Sequence, residues 1–512
     1  MPVMRIFRVL LVAVVFVLPV PVLGNPPPTD KLRDAVEANV GSAIALYREF
    51  LALPNDAVYP DDIDELLTWM EGAFGERNFA TRRLATGGSP ALYAERLTTA
   101  ADPTVLVYLQ ADGQPVDPSA WAQADPFVAV LKQKTPDGNW QEIPWSSIDT
   151  GFDPDWRVFA RSASDSKGPM TQFLMAIQLL DEMDASPRYN LKVIIDTEEE
   201  LGSPNLAVAL AAHRDVLGAD FLLIFDGPPH ASNGPTVSFG ARGIATVTLT
   251  TYGPKFAQHS GHYGNFVPNP AFDLARILAS MKSDDGVVTI SGFYDGVELT
   301  DEVREILAKV PDDEAAILRS MGVARPDAVA GSLQESIQFP SLNIRGMGAA
   351  WIGDEARTII PPTATAELDI RLVKESNPRR LIELVRAHVE SLGYVVLERE
   401  PSDAERLELD RIVTMTYEIS YAAFRSEFDS AAGKMARAGL IHVYGEEPIL
   451  IRTMGGSIPI SLIIDALRIP AAAVATVNID NNQHSPNENL RLGNFFEGIV
   501  MLMAVLGQSP DL

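Results

Sequence analysis

The chain has 512 residues, 46% hydrophobic and 21% charged, which is ample for large cores, too long for one compact domain and unlike a wholly disordered polymer. Its 68 acidic and 41 basic residues give a formal charge of −27 with no Lys/Arg-rich block, which excludes a nucleic-acid role and describes an acidic, solvated surface. The absence of cysteine rules out disulfides, a zinc ribbon, a thiol nucleophile and a lipidated N-terminal Cys.

At the N-terminus, Arg5 and Arg8 precede an apolar run that ends at Leu23, and Val22, Leu23 and Gly24 put small or apolar residues before Asn25. This is the layout of a secretory signal peptide over residues 1–24. The run is shorter than the ~20 residues a membrane span needs, and Pro19 and Pro21 interrupt it. A periplasmic or secreted protein is expected, with no later membrane span.

Residues 31–53 have helical periodicity and end at Pro54. Residues 104–109 (TVLVYL), 191–195 (LKVII) and 221–225 (FLLIF) are short apolar runs that predict buried strands, and 168–183 predicts a helix between the first two. Strands alternating with helices imply an α/β sheet. Acidic residues follow each strand: Asp112, then Asp196 to Glu200, then Asp226. Ligands of open α/β sheets gather beyond the carboxyl ends of the strands, so these acids point to one site.

From about Gly240 the texture changes. Residues 244–251 and 364–373 alternate as half-buried strands, 270–281 and 378–392 predict helices, and 394–397 predicts a strand. Together they predict a small α+β unit with an antiparallel sheet. Residues 301–310 and 314–321 predict a helical excursion within it. After Phe428 the α/β pattern returns, with a strand at 471–477 and a helix at 492–506. The simplest architecture is a discontinuous α/β domain (25–237 and 428–512) on a mixed, largely parallel sheet, with an α+β domain (238–427) inserted.

The motifs fall in chain order. The stretch VLVYLQADGQPVDPSAWAQADPF contains Gln110, Asp112 and the Gln-Pro-Val-Asp run; RSASDSKGPM contains Arg161, Asp165, Lys167 and Gly168; DTEEELGSPN contains Glu199 and Glu200; FDGPP contains Asp226; and NNQHSPNENL contains His484. In these segments the chain resembles the M20 family of metallopeptidases and amidohydrolases, the carnosinase-like dipeptidases in particular. The resemblance implies a catalytic domain with a ferredoxin-like lid or dimerisation domain. It implies one or two divalent ions, Zn or Mn, and a dipeptide or N-acyl amino acid substrate with a free carboxylate.

The resemblance also implies roles. Asp165 bridges the metals, Glu200 and His484 complete one metal site, Asp226 belongs to the other, and Glu199 is the general base. Asp112 orients the ligand before it. That ligand is a His in the family and Gln110 here, and the two early glycines of the second motif are Ala160 and Ser162. His259, in QHSGHYGN, matches a His that reaches the partner's site in dimeric relatives to stabilise the oxyanion, which implies a homodimer. Arg371, in LDIRLV, matches an arginine for the substrate carboxylate, and Gly455, Gly456 and Ser457 match a loop beside the substrate.

The residue chemistry is consistent with this. Carboxylates with few imidazoles suit Zn²⁺ or Mn²⁺, and a free carboxylate beside an attacking water can relay its proton to the leaving amine. An amide oxygen is a weaker, harder ligand than imidazole. Gln110 therefore leaves three outcomes: a working two-metal site, a one-metal enzyme, or a binding protein without turnover. Asp112 is expected to accept a hydrogen bond from the Gln110 amide, and His230 is a candidate substitute imidazole.

Overall fold

A computed structural model of the chain describes residues 26–99, 102–456 and 458–510. The expected leader, 1–24, and Ser457 lie outside the described residues. Eight strands form the larger sheet, in the order Ala80–Leu84, Ala91–Arg96, Asn190–Asp196, Thr104–Gln110, Phe221–Phe225, Ala471–Val474, Thr236–Ser238, Ile449–Ile451. The four central strands from Asn190–Asp196 to Ala471–Val474 run parallel, and the antiparallel pairings flank them. Parallel strands are covered on both faces, and the sequence of Thr104–Gln110 shows how. Val105, Val107 and Leu109 enter one core with the helices Lys167–Glu182 and Leu492–Leu506. Leu106 and Tyr108 enter a second core with Leu206–Ala212 and Ser461–Leu467.

A five-stranded sheet is built from Ser341–Gly348, Thr363–Leu372, Gly243–Tyr252, Ile412–Tyr421 and Val395–Leu397 in that order. Strands Gly243–Tyr252 and Thr363–Leu372 alternate strictly between buried and half-buried positions. Their buried face packs on the helices Pro270–Met281 and Pro378–Ser391. A mixed α/β architecture is thus the observed fold class. Among the described residues, no helix is long and apolar enough to cross a membrane.

Several expected elements coincide with the structure, among them Phe221–Phe225, Pro270–Met281 and Leu492–Leu506. Three differ. The single helix expected over 31–53 is two, Thr29–Ala38 and Val40–Leu51, because Asn39 leaves the helical region and its side chain donates to the Ala35 carbonyl. The expected helix 301–310 stops at Leu307. The small sheet is not wholly antiparallel: Val395–Leu397 runs parallel to Ile412–Tyr421 at its edge. A three-residue edge strand returning from a helix carries no periodicity that fixes its direction.

Candidate active site

The acidic residues lie beyond the carboxyl ends of three neighbouring parallel strands. Gln110 ends the first strand. Asn190–Asp196 leads into the short turn Glu199–Leu201, and Asp226 follows Phe221–Phe225. Two loops close over these ends. One precedes the helix Lys167–Glu182 and carries Asp165; the other, between Asp480 and Glu488, carries His484.

Glu488 holds the two loops together. It is 1% exposed. Its Oε1 accepts from Ser164 N, Ser164 Oγ and Asp165 N at 2.8–2.9 Å, and its Oε2 accepts from Ser162 N and Arg161 Nη1 at 2.8 Å. Burial pushes its carboxyl upward and Arg161 pulls it back. Donors on both oxygens suit the ionised form. Ser162 has φ +60°, the left-handed region that glycine occupies without strain; the resemblance has a glycine at this position.

Among the described residues, Asp165, Glu200 and His484 form a group that could hold a metal ion, with their ligand atoms within 4.8 Å of one another. His484 Nε2 lies 3.0 Å from Asp165 Oδ2 and 3.3 Å from Glu200 Oε2. Gln114 Nε2 donates to Glu200 Oε2 at 2.8 Å. Burial and then the Asp165 charge push the Glu200 carboxyl up; the same two causes, in the same order, raise Asp226. Glu199 is driven well above the usual range by burial and by the charges of Asp165, Glu200, Asp226 and Asp112. The hydrogen bond to Asp165 raises His484. Four carboxylates around one imidazole therefore lack positive charge, and a divalent cation suits that deficit.

Asp112 corrects an expectation. Its two oxygens accept the backbone N–H groups of Glu199 and Glu200, each at 3.0 Å, and not the Gln110 amide. It positions the Glu199–Glu200 turn. The Gln110 amide instead donates from Nε2 to Asp165 Oδ1 at 2.6 Å. The Ser166 hydroxyl donates to Asp226 Oδ1 at 2.5 Å.

His230 is not a substitute ligand. Its Nε2 is 2.9 Å from Asp312 Oδ1 and its Nδ1 is 3.0 Å from Ser232 Oγ. It ties the loop after Asp226 to the segment between the helices Asp301–Leu307 and Glu314–Met321. His259 is exposed, its Nδ1 accepts from Gly261 N, and among the described residues it makes no hydrogen bond to the acidic cluster of its own chain.

Arg371 lies opposite Ile244, which lies opposite Tyr421, so the three form a row across the smaller sheet. Tyr421 meets the acidic turn: a side chain at Gly202, whose φ is +83°, would strike its hydroxyl. This contact brings the end of the smaller sheet that carries Arg371 to the acidic turn. Gly455 and Gly456 are exposed just after Met454, which bonds back to Gly240 and Arg242. Arg242 is 8% exposed and donates to the Phe339 carbonyl at 2.7 Å. Burial, then the neighbouring Arg371, lowers it to about 10. The sequence assigns no role to Glu488, Gln114, Ser166, Tyr421 or Arg242, although the first three fall inside the motifs. A separate cavity of about 1010 Å³, lined in part by Arg33, Ile148, Tyr444 and Phe496, includes none of the site residues, so volume alone does not mark the site.

Residues 129–508 match the family described as Peptidase family M20/M25/M40. The chain belongs to this family. It is an M20-type peptidase, an enzyme of the metal-dependent hydrolase kind. It is 24% identical over 512 residues to the human Beta-Ala-His dipeptidase, covering 95% of this chain and 94% of that one. It is 27% identical over 403 residues to the Cys-Gly metallodipeptidase dug1 of Schizosaccharomyces pombe, covering 77% and 78%. An M20 family metallo-carboxypeptidase from Sulfolobus solfataricus superposes with a TM-score of 0.73 at 27% identity, covering 92% of this chain and 99% of that one. Human carnosine dipeptidase 1 superposes at 0.70 and 22% identity, covering 95% and 100%, a likeness of fold.

Proposed function

We propose that this M20 enzyme is an exported dipeptidase or N-acyl-amino-acid amidohydrolase that uses one or two divalent ions, Zn or Mn, on small substrates with a free carboxylate. The observation that carries the reading is the Asp165–Glu200–His484 group with Glu199 beside it but outside it. The names of the similar enzymes favour dipeptides.

Asp165, Glu200 and His484 would hold a divalent cation, which would supply Lewis acidity to the scissile carbonyl and the attacking water. Glu199 accepts the proton from that water and passes it to the leaving amine. Asp112 holds the turn through the N–H groups of both residues, with Glu200 in the metal-capable group and Glu199 outside it, free to serve as the base. The Arg371 guanidinium suits a substrate carboxylate through its two-pronged fork. The exposed backbone of Gly455 and Gly456 borders the substrate. His259, exposed and outside its own cluster, serves the oxyanion in the other subunit of a homodimer. Gln110 stands where the resemblance implies a His ligand. The N-terminal layout supports export to the periplasm or medium, with cleavage near Asn25.

Metal-loaded protein should cleave members of a panel of dipeptides and N-acyl amino acids, and amidation of the substrate's terminal carboxylate should weaken turnover. Glu199→Gln should lower kcat by ~10²–10⁴-fold with metal content unchanged. Mixed with His259→Ala, it should recover activity, since one composite site per heterodimer is whole. No cleavage across the panel, or near-native kcat in Glu199→Gln, overturns the reading; a dimer without rescue removes the role given to His259.

A further inference from the structure

The two oxygens of Asp165 face different surroundings. Oδ2 faces His484 Nε2 at 3.0 Å and receives Gln483 Nε2 at 3.3 Å. Oδ1 receives Gln110 Nε2 at 2.6 Å and lies 3.2 Å from Ser166 Oγ. The Ser166 hydroxyl has a single proton, and its shorter contact is with Asp226 Oδ1, at 2.5 Å. The two carboxylate oxygens on this side are thus capped by neutral donors from this chain.

A carboxylate that bridges two cations presents one bare oxygen to each, with the ions ~3.5–4 Å apart. Oδ2 comes closer to that condition than Oδ1: its nearest neighbour is His484 Nε2 at 3.0 Å, itself able to ligate, with the Gln483 amide farther off at 3.3 Å, whereas Oδ1 carries the Gln110 amide at 2.6 Å. Reversing the Gln110 amide would set its oxygen 2.6 Å from Asp165 Oδ1, acceptor against acceptor, a contact that is unfavourable unless a cation lies between the two oxygens. Gln110 is 3% exposed and Asp165 7%, so water has little access to relieve that contact. The candidate replacement imidazole, His230, is held by Asp312 and Ser232. Among the described residues, the group of three His, Asp or Glu side chains with metal-holding geometry is Asp165, Glu200 and His484.

We propose that this chain holds one tightly bound divalent cation, on Asp165 Oδ2, Glu200 and His484, and that Gln110 and Ser166 replace a second cation with a hydrogen-bonded platform joining Asp165 to Asp226. The inference rests on the metal-dependent reading above. In it, Gln110 is a positioning residue: its amide fixes the rotation of Asp165 and so aims Oδ2 at the remaining ion. Asp226 anchors the platform through Ser166 and does not ligate.

The test is metal stoichiometry, independent of turnover. The full chain is stripped with chelator and titrated with Zn²⁺ and, separately, Mn²⁺ by calorimetry, with elemental analysis after gel filtration. One tight ion per chain is expected for either metal. His484→Ala should leave none, and Gln110→His should raise Zn²⁺ to two. Thermal melts of each variant confirm that it is folded. Two tight ions in the unmodified chain overturn the proposal, as does a tight ion retained by His484→Ala. A folded Gln110→His that still binds one ion also overturns it, because Gln110 then does not exclude the second. The hydrolysis panel run on the same samples separates the readings. One ion without cleavage removes the dipeptidase reading alone; two ions with cleavage removes this inference alone.

Discussion

Glu488→Gln removes one charge and preserves shape, and its cost follows from the hydrogen bonds. The wild-type carboxylate accepts three donors on Oε1 and two on Oε2. The amide of Gln has one accepting atom and one donating atom. Its cheaper orientation places NH₂ toward Ser162 N and Arg161 Nη1, leaving both donors unmet and the Arg161 charge uncompensated. An unmet buried donor costs about 1–3 kcal/mol, and breaking a buried ion pair costs about 3–5 kcal/mol. Arg161 and Glu488 side chains are 4% and 1% exposed, so solvent screening offers little relief. Since the two costs overlap at Arg161, about 4 kcal/mol is expected in total. Because the loop that carries Asp165 then loses its Ser162 and Arg161 anchors to Glu488, metal affinity should fall by ~10–100-fold, the usual penalty for losing a partner that orients a ligand. Denaturant unfolding of stripped protein reads the first effect and calorimetric titration the second. A loss under about 1 kcal/mol together with unchanged affinity would refute the assignment of Glu488 as the tie between the two loops.

Asp112→Asn should cost about 1–3 kcal/mol, since the amide turns a donor toward the N–H of Glu199 or Glu200. It should lower kcat by more than tenfold with metal retained; wild-type kcat would show that the turn holds itself. The pH dependence has a fixed sign. Glu200, Asp226 and His484 all have folded-state values above their ordinary ones. Metal-free native protein therefore binds more protons than the unfolded chain, and its stability from these groups is full at low pH and declines as pH rises from the ordinary carboxylate range through the raised His484 value near 9. Bound metal replaces those protons, so the melting-temperature gap between loaded and stripped protein should widen from pH 5 to pH 9. A gap that narrows contradicts the charge arrangement.

Much of the site was legible in the sequence because it follows from strand periodicity. Apolar runs such as FLLIF mark parallel strands buried on both faces, and whatever polar residue comes next must emerge at their carboxyl ends. Asp112, Glu199, Glu200 and Asp226 follow from this pattern alone, without the family motifs. His484 was not. It lies on a loop without periodicity, and only its match to a family motif singled it out.

What the tertiary structure decided is which of these polar groups bond to which. Glu488 looks like one acid in a polar turn, yet its donors include backbone N–H groups up to 326 residues away. Backbone donors are the same at every residue, so no pattern of side chains announces them. The same holds for Asp112, whose oxygens went to the N–H groups of the next loop and not to its near neighbour Gln110, and for His230, taken up by Asp312. The sequence determined the strands, the acids at their ends and the family motifs, because periodicity and residue type are local. Only the folded chain determined the partners, because hydrogen bonds are short and directional and depend on loops brought together from distant parts of the chain.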